Sequence, residues 1–316
     1  MTGDFRQTLP VVPRGTRADE IYSCIKASHL WKHVTSYHLS RNVRAEMSGD
    51  PDSATFSKVL LEIGDGTISR TDNVQIPPQV FCKTKQELFD FIYPNLEQNY
   101  NASGWLHKRA ILATKNTIVD ELNETLLAKI PGEEKIFKSL DFPMNPKDCV
   151  QYPQEVLNNL NIPGAPAHRL VLKKGCPVIV LRNIDRVLVN GTRLVIDKLH
   201  DHKLDATILV GANAGEQVSI PRIPFIPTEF PIQMKRVQFP LRLSFAMTVN
   251  KAQGQTLEKV GLYLEDPCFS HGQFYVGCSR VGSEKNLRIL CPTNARNDPV
   301  TKNIVYKEVF GELVPL

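Results

Sequence analysis

The chain has 316 residues and a formal net charge of +5, and 42% of its residues are apolar and 22% are charged. This length predicts about two domains, and this composition is that of a globular protein, which excludes a disordered tail and a disulfide-stapled miniprotein. The mild excess of basic residues permits a polyanionic partner without requiring one.

Seven cysteines are scattered along the sequence, and no two of them have Cys-x-x-Cys spacing. An odd number of scattered thiols indicates a reducing compartment and argues against a zinc ribbon, so we expect no metal site. The longest apolar run, Pro177 to Leu181, is far shorter than the about 20 residues of a membrane span, and no secretion signal opens the chain. We therefore expect an intracellular protein without a membrane partner.

In the first half of the chain, the patterns change from mixed helix to an α/β unit. Residues 17–62 have partly helical spacing, residues 64–78 have the composition of a loop, and residues 86–98 predict an amphipathic helix. Residues 109–114 then predict a buried strand, and Asn116 or Thr117 could cap a helix that runs to residue 129. A strand followed directly by a capped helix is the repeating unit of a parallel α/β sheet.

In the second half, a basic β module follows the Pro-rich residues 131–168, which predict a connector. The sequence predicts five short strands, Arg169–Leu172, Pro177–Leu181, Leu194–Leu199, Ala206–Val210 and Gln217–Ile220. Residues 168–204 contain eight basic and three acidic residues, a net charge of +5, and residues 221–260 contain six basic and two acidic residues, a net of +4. Predicted strands at 242–247, 260–264 and 287–290 and a helix at 270–279 then return to the α/β pattern. We therefore predict a small β module inserted into an α/β domain.

Four short stretches offer groups suited to phosphate chemistry: Gly3–Gln7, Leu39–Arg44, Thr248–Thr256 and Phe274–Arg280. Gly254 would let backbone N–H groups approach a phosphate closely, because no side chain intervenes. Gln7 could hold a water or a phosphate oxygen, and Arg280 could neutralise charge on a transferred phosphoryl group. Each also has an ordinary interpretation, as a surface glutamine, a turn glycine or a solvated arginine.

Hydroxyl, amide and ammonium donors follow one another closely at Thr248, Asn250 and Lys251, a mixture that positions a nucleic-acid backbone. In their order, the four stretches resemble the C-terminal two-thirds of the Pif-type DNA helicases, the RecD-like branch of superfamily 1, and most closely the helicase part of Helitron transposons. The matching residues are Gly3–Val11, Arg109–Asn123, Lys173–Leu199, Ile220–Leu264 and Phe269–Leu290.

The resemblance implies an α/β fold, a RecA-like (P-loop NTPase-type) second lobe with an inserted small β-barrel, preceded by a remnant of the first lobe. It implies that residues 1–84 are the remnant and a linker, that residues 85–168 and 221–316 form the second lobe, and that residues 169–220 form the barrel. These enzymes use ATP and Mg²⁺ to move 5′ to 3′ on single-stranded DNA.

The resemblance also assigns roles to individual residues. Arg280, Arg44 and Gln7 would be catalytic, and Gly254, Gln253 and Gln7 would contact the nucleotide. The implied DNA contacts are Thr248, Asn250 and Lys251, together with Arg193 and Arg182 of the basic module. The resemblance implies a nuclear protein. The family acts in DNA repair, recombination and telomere maintenance, whereas a Helitron-like copy would act in transposition.

The sequence departs from the family by an absence. It contains no Gly-Lys-Ser or Gly-Lys-Thr, the end of the loop that holds nucleotide phosphates, and no acid pair precedes Gly3. We therefore expect that this chain alone neither binds ATP tightly nor hydrolyses it, and that an N-terminal lobe is its partner in an intact protein. Without that lobe, several apolar residues near the start would be exposed: Leu9, Val11, Ile21, Ile25 and Leu30.

Three interpretations remain open at this point. The chain is the motor half of an ATP-dependent DNA helicase, a single-stranded DNA-binding protein that works without ATP, or an inactive transposon relic. Salt-dependent DNA binding by the chain would favour the second of these.

Overall fold

The computed structural model describes residues 3–12, 15–37, 39, 51–102, 104–145, 152–227 and 232–311. The chain divides into two units. The first contains Met1–Pro94, Lys108–Val119 and Met247–Leu316, and the second contains Asn95–His107 and Asp120–Ala246. The boundaries between these units differ from the predicted domain boundaries. One reason is that the strand Phe81–Cys82 joins the same sheet as the strands after residue 247.

A five-stranded sheet forms the centre of the first unit. Its strands lie in the order Ala246–Thr248, Arg109–Ala113, Lys259–Tyr263, Leu287–Leu290 and Phe81–Cys82. The last four run parallel to one another. Four of the five residues of Arg109–Ala113 are buried, as expected for a strand covered on both faces. The sheet confirms the strands predicted at 109–114, 260–264 and 287–290.

One predicted strand is wrong. Residues 242–247 form no single strand, because Leu241–Leu243 pairs with Pro177–Val180 in the second unit, and Ala246–Thr248 lies at the edge of the parallel sheet. A run of apolar residues predicts that both segments are buried, but it does not indicate where one strand ends and the next begins.

The first unit also contains helices and short 3-10 turns. Among the residues that the structure describes, the α-helices of the first unit are Arg17–Tyr22, Pro51–Asp65, Lys85–Ile92 and Gln273–Cys278. The helix Asn116–Lys129 follows the strand Arg109–Ala113 as predicted. The 3-10 turns are Ile25–Ala27, Trp31–His33, Val249–Ala252, Glu284–Asn286 and Lys307–Phe310. The helix predicted at 86–98 is divided, because Pro94 disfavours helical backbone at the residue before it. A separate helix, Leu96–Asn99, follows in the second unit.

Residues near the start of the sequence pack against residues 304–309. Ile21 is buried in a cluster with Tyr306 and Val309, and Leu9 packs against the same cluster. The expectation that both would be exposed is therefore wrong. It is correct for Val11, Ile25 and Leu30, which are 71%, 43% and 60% exposed. A two-stranded antiparallel sheet of Asn73–Gln75 and Val300–Lys302 completes the first unit.

The second unit is antiparallel. Its largest sheet has the order Gln217–Pro221, Lys203–Ile208, Arg193–Leu199, Pro177–Val180 and Leu241–Leu243. A three-stranded sheet contains Ile223–Phe225, Met234–Gln238 and Leu140–Pro143, a two-stranded sheet contains Lys135–Lys138 and Arg169–Leu172, and the unit has a helix at Gln154–Asn158. The unit thus contains the antiparallel strands predicted between residues 169 and 220, together with strands from the segment predicted to be a connector.

A buried ion pair holds the second unit together. The Arg236 guanidinium donates to the Asp141 carboxylate, with Nη2 to Oδ2 at 2.8 Å, and these side chains are 2% and 0% exposed. Arg236 also donates to the Leu157 carbonyl oxygen at 2.9 Å, and the Ser139 hydroxyl donates to Asp141 at 2.7 Å. These contacts satisfy charges that would otherwise be costly to bury. In the part of the chain that the structure describes, no helix is long and apolar enough to cross a lipid bilayer.

Candidate functional site

The predicted phosphate-binding stretch forms a loop at the edge of the parallel sheet. The loop, residues 249–256, begins with the 3-10 turn Val249–Ala252 after the edge strand. Val249 and Ala252 are buried, whereas Lys251, Gln253 and Gly254 are exposed. The apolar residues therefore fix the loop to the core while its polar residues face outward.

Gly254 has the geometry of a position where a ligand can approach the backbone. Its φ is +78°, a region that favours glycine, and a Cβ built there would meet no atom within 4 Å. The space above its backbone is therefore open. This agrees with the predicted role of Gly254 at a phosphate, which stays a prediction.

Arg280 supports the loop from inside. Its side chain is buried, and Nη1 donates to the carbonyl oxygens of Gln255 at 2.9 Å and Ala252 at 3.4 Å. Nε donates to the Val276 carbonyl oxygen at 2.8 Å. The guanidinium thus holds the backbone on both sides of Gly254. Arg280 thus lies at the loop, and its catalytic role remains a prediction.

Gln7 lies against the start of the helix that leads to Arg280. Gly272 precedes this helix with φ +71°, and a Cβ there would lie 2.7 Å from the Gln7 carbonyl carbon. Only glycine allows this approach without displacement of the backbone. The Thr8 hydroxyl donates to Gln253 Oε1 at 3.0 Å. Gln7, Gln253, Gly254 and Arg280 therefore belong to one region of the first unit.

The segment around Gln7 is held by charged and polar contacts. Arg6 Nε lies 2.7 Å from Asp65 Oδ1, and this hydrogen bond raises the pKa of Arg6 although burial opposes it. The Tyr275 hydroxyl donates to Asp4 Oδ2 at 2.8 Å, and burial, followed by the negative charge of Asp4, raises the pKa of Tyr275.

His271 is a further contact of this segment. It lies 2.8 Å from the Phe5 carbonyl oxygen, and burial lowers its pKa. Sequence reasoning missed His271 and Asp65, because their partners lie far away in the chain. The His-Gly pair at 271–272 before a helix was the available signal.

The DNA-contact predictions have different outcomes. Lys251 is exposed and Thr248 and Asn250 are half-buried, with Asn250 Oδ1 accepting from Gln273 Nε2 at 3.4 Å. Arg182, in the second unit, is exposed and donates to the Pro224 carbonyl oxygen at 3.0 Å. These four stay predictions.

The prediction for Arg193 is wrong. Its side chain is 0% exposed and donates to the carbonyl oxygens of His107 at 2.9 Å and Ser244 at 3.1 Å, so it has no surface to offer a DNA strand. Arg44, the second arginine predicted to reach a phosphate, lies outside the described residues. No cluster of metal-ligating side chains occurs in the described ranges.

Comparisons with known proteins point to one family. A model described as PIF1-like helicase matches residues 1–74, and a model of the DNA helicase Pif1 2B domain matches residues 155–199. The chain is 31% identical over 206 residues to the ATP-dependent DNA helicase PIF1 of Homo sapiens, covering 60% of this chain and 28% of that protein. It is 24% identical to the ATP-dependent DNA helicase PIF1 of Emericella nidulans, covering 92% of this chain and 41% of that protein.

Solved structures show the same fold. The Pif1 helicase from Candida albicans has a TM-score of 0.64 at 23% identity and covers 98% of this chain and 65% of its own. The Bacteroides Pif1 bound to ssDNA has a TM-score of 0.60 at 20% identity and covers 92% of this chain and 61% of its own. The fold is thus an α/β fold with a RecA-like lobe. The chain spans 41% or less of the curated relatives named above.

Proposed function

From its relationship to the Pif1-type DNA helicases of superfamily 1, we propose that this chain is the part of an ATP-dependent helicase that contains the second RecA-like lobe. The enzyme would move 5′ to 3′ along single-stranded DNA. One observation carries the proposal: the open backbone at Gly254 is supported by Arg280 and lies in the same region as Gln7. An open, glycine-containing loop held by a buried guanidinium is suited to a phosphate-bearing ligand.

The residues present fit one side of a nucleotide site. Gly254 offers accessible backbone, Gln253 and Gln7 offer amides, and Arg280 offers positive charge close behind the loop. ATP with Mg²⁺ would supply the free energy of phosphoryl transfer. The sequence contains no Gly-Lys-Ser/Thr loop to hold the phosphates, so we propose that this chain alone neither binds ATP tightly nor hydrolyses it.

Single-stranded DNA is the proposed partner. Lys251 offers an exposed ammonium beside the amide of Asn250 and the hydroxyl of Thr248, and Arg182 offers a guanidinium on the second unit. One structural relative, the Bacteroides Pif1, was solved bound to ssDNA. A nuclear location and a role in Helitron transposition, rather than repair or telomere maintenance, complete the proposal.

A DNA-binding protein that works without ATP is the second candidate, and the exposed basic residues Lys251 and Arg182 favour it. Both candidates predict DNA binding by the chain. They differ once a Pif1-type first lobe is supplied: the helicase proposal predicts ATP turnover that requires Arg280, and the alternative predicts none.

Fluorescence anisotropy with a labelled oligothymidylate tests DNA binding. We expect binding that weakens with salt, and a loss of affinity for Lys251→Gln that the matched variant Lys302→Gln, also an exposed lysine of the first unit, does not show. Absence of binding at low salt would overturn the DNA proposal. Mg²⁺-dependent ATP turnover by the purified chain would overturn the proposed inactivity.

A further inference from the structure

Two cations surround one aromatic ring at the start of the parallel strands. The Lys259 ammonium lies 4.5 Å from the centroid of the Phe91 ring, and the Arg288 guanidinium carbon lies 4.1 Å from it. The two charges are therefore no more than about 9 Å apart, close to the Debye length of about 8 Å at physiological salt, so salt screens their repulsion only in part.

A third cation adds to this group. The strand register places Arg109 beside Lys259, because these residues are paired at the first position of their neighbouring parallel strands. All three basic residues and Phe91 are half-buried. Burial lowers the pKa of Lys259, and the charges of Arg109 and Arg288 lower it further. We call Arg109, Lys259, Arg288 and Phe91 the Phe91 cluster.

Acidic residues do not neutralise the two cations on the ring. In the described part of the chain, neither Lys259 nor Arg288 forms an ion pair, and Arg288 donates to the backbone carbonyl oxygens of Leu287 at 2.7 Å and Lys285 at 3.4 Å. Glu258, the acid next in sequence, pairs with Lys108 at 2.5 Å. The fold thus keeps like charges together at a cost that a bound anion would remove.

We propose that the Phe91 cluster binds the phosphodiester backbone of single-stranded DNA at a place separate from the Gly254 loop residues. The inference rests on the proposed function, because it takes the same DNA as the ligand. Two cations held against an aromatic ring have little side-chain freedom left to lose on binding a phosphate. Lys259 follows Gly254 by only five residues, which limits the distance between their Cα atoms to about 18 Å, so one strand can contact both.

The charge-neutral variant Lys259→Gln/Arg288→Gln tests the proposal in the whole chain. For binding to single-stranded DNA, the slope of log K against log salt decreases in magnitude by about 0.7 for each phosphate contact that is removed. We therefore expect the slope of log K against log salt to fall by about 1.4 in magnitude, and affinity for oligothymidylate at about 0.1 M salt to fall about 25-fold. The matched control Arg296→Gln/Lys302→Gln removes the same charge from exposed positions of the same unit and should change neither value appreciably.

Lysine footprinting gives a second measurement that requires no variant. Reductive methylation acts on neutral amines, so Lys259 should react readily, and oligothymidylate should protect it more than it protects Lys302. An unchanged salt slope together with an unprotected Lys259 would overturn the inference while leaving DNA binding intact. If polyglutamate of the same total charge protects Lys259 as well as oligothymidylate does, the inference is also overturned. Failure of the wild-type chain to bind DNA would instead overturn the proposed function.

Discussion

The buried His271 side chain joins two segments that are far apart in the sequence. Its Nε2 lies 2.8 Å from the Phe5 carbonyl oxygen, which can only accept, so Nε2 carries the hydrogen. Its Nδ1 accepts the backbone N–H of Tyr306 at 2.9 Å. A second proton on Nδ1 would break that bond. The contacts therefore require a neutral imidazole.

We expect His271→Phe to lower the free energy of unfolding by about 2–4 kcal/mol, because it leaves a buried N–H and a buried carbonyl without their partner. The new ring can still stack on Tyr306, whose ring centroid lies 5.3 Å from that of His271. Lost packing is thus a small part of the expected effect. The exposed His29 provides the matched control, and His29→Phe should change the free energy by less than about 0.5 kcal/mol.

The effect of His271 depends on pH, with a sign set by its environment. Burial lowers the pKa of His271 below its ordinary value of 6.5. As the pH falls, His271 is protonated in the unfolded chain before it is protonated in the folded chain. The stabilisation by neutral His271 is therefore complete above pH 6.5 and is lost as the pH falls from there towards the pKa of the folded state. The slope in that window approaches about 1.4 kcal/mol per pH unit. The His271→Phe variant lacks this pH-dependent contribution to the free energy of unfolding.

Urea unfolding followed by tryptophan fluorescence measures both effects. Trp31 reports on the segment concerned, because its ring meets Phe5 edge to face with centroids 5.8 Å apart, and Trp105→Phe removes the other tryptophan. The stability difference between wild type and His271→Phe should shrink as the pH falls from about 7.5 to about 5.5. An equal difference at both pH values would refute the neutral buried imidazole.

Three further substitutions test other contacts. Arg236→Met should lower the free energy of unfolding of the second unit by about 3–5 kcal/mol, because it leaves a buried carboxylate unpaired, whereas Arg242→Met breaks a more exposed pair and should cost less than about 1 kcal/mol in the same urea titration. Gly254→Ala should lower the free energy of unfolding by about 1–2 kcal/mol, because alanine disfavours the positive φ at this position. Gly282→Ala is the control, because Gly282 has equal space and no positive φ, and it should lower the free energy of unfolding by less. Equal decreases in the melting temperature of the two variants would contradict this. Arg280→Lys cannot reproduce the paired donors to two loop carbonyls, so amide exchange of the Gly254 loop should accelerate severalfold; unchanged exchange would show that the loop holds itself.

The parallel sheet could be predicted because its strands are buried on both faces. Residues 109–113 and 260–264 are nearly uninterrupted apolar runs, and a capped helix follows the first, so local pattern and tertiary environment agree. The same signal failed at 242–247, where two strands of different sheets are adjacent in sequence.

The candidate site could be predicted only in part. The Gly254 loop is a local sequence feature, and its open backbone follows from local geometry. Arg193 and Arg182 carry the same charge in the same module, yet one is buried and the other exposed, because carbonyl groups from distant segments surround Arg193. The charge count could not separate them. The contacts of the Gln7 segment could not be predicted either, because Phe5 and His271 are 266 residues apart in the sequence.

That separation has a consequence for synthesis on the ribosome. The Phe5 carbonyl emerges long before the imidazole that binds it, which is made 266 residues later. At about 5–20 residues per second, the early segment waits roughly 13–53 seconds for its partner. Until then, Leu9 and Ile21 have no apolar surface from Tyr306 and Val309 to cover them. The nascent chain is therefore a natural client for chaperones that shield hydrophobic segments during translation.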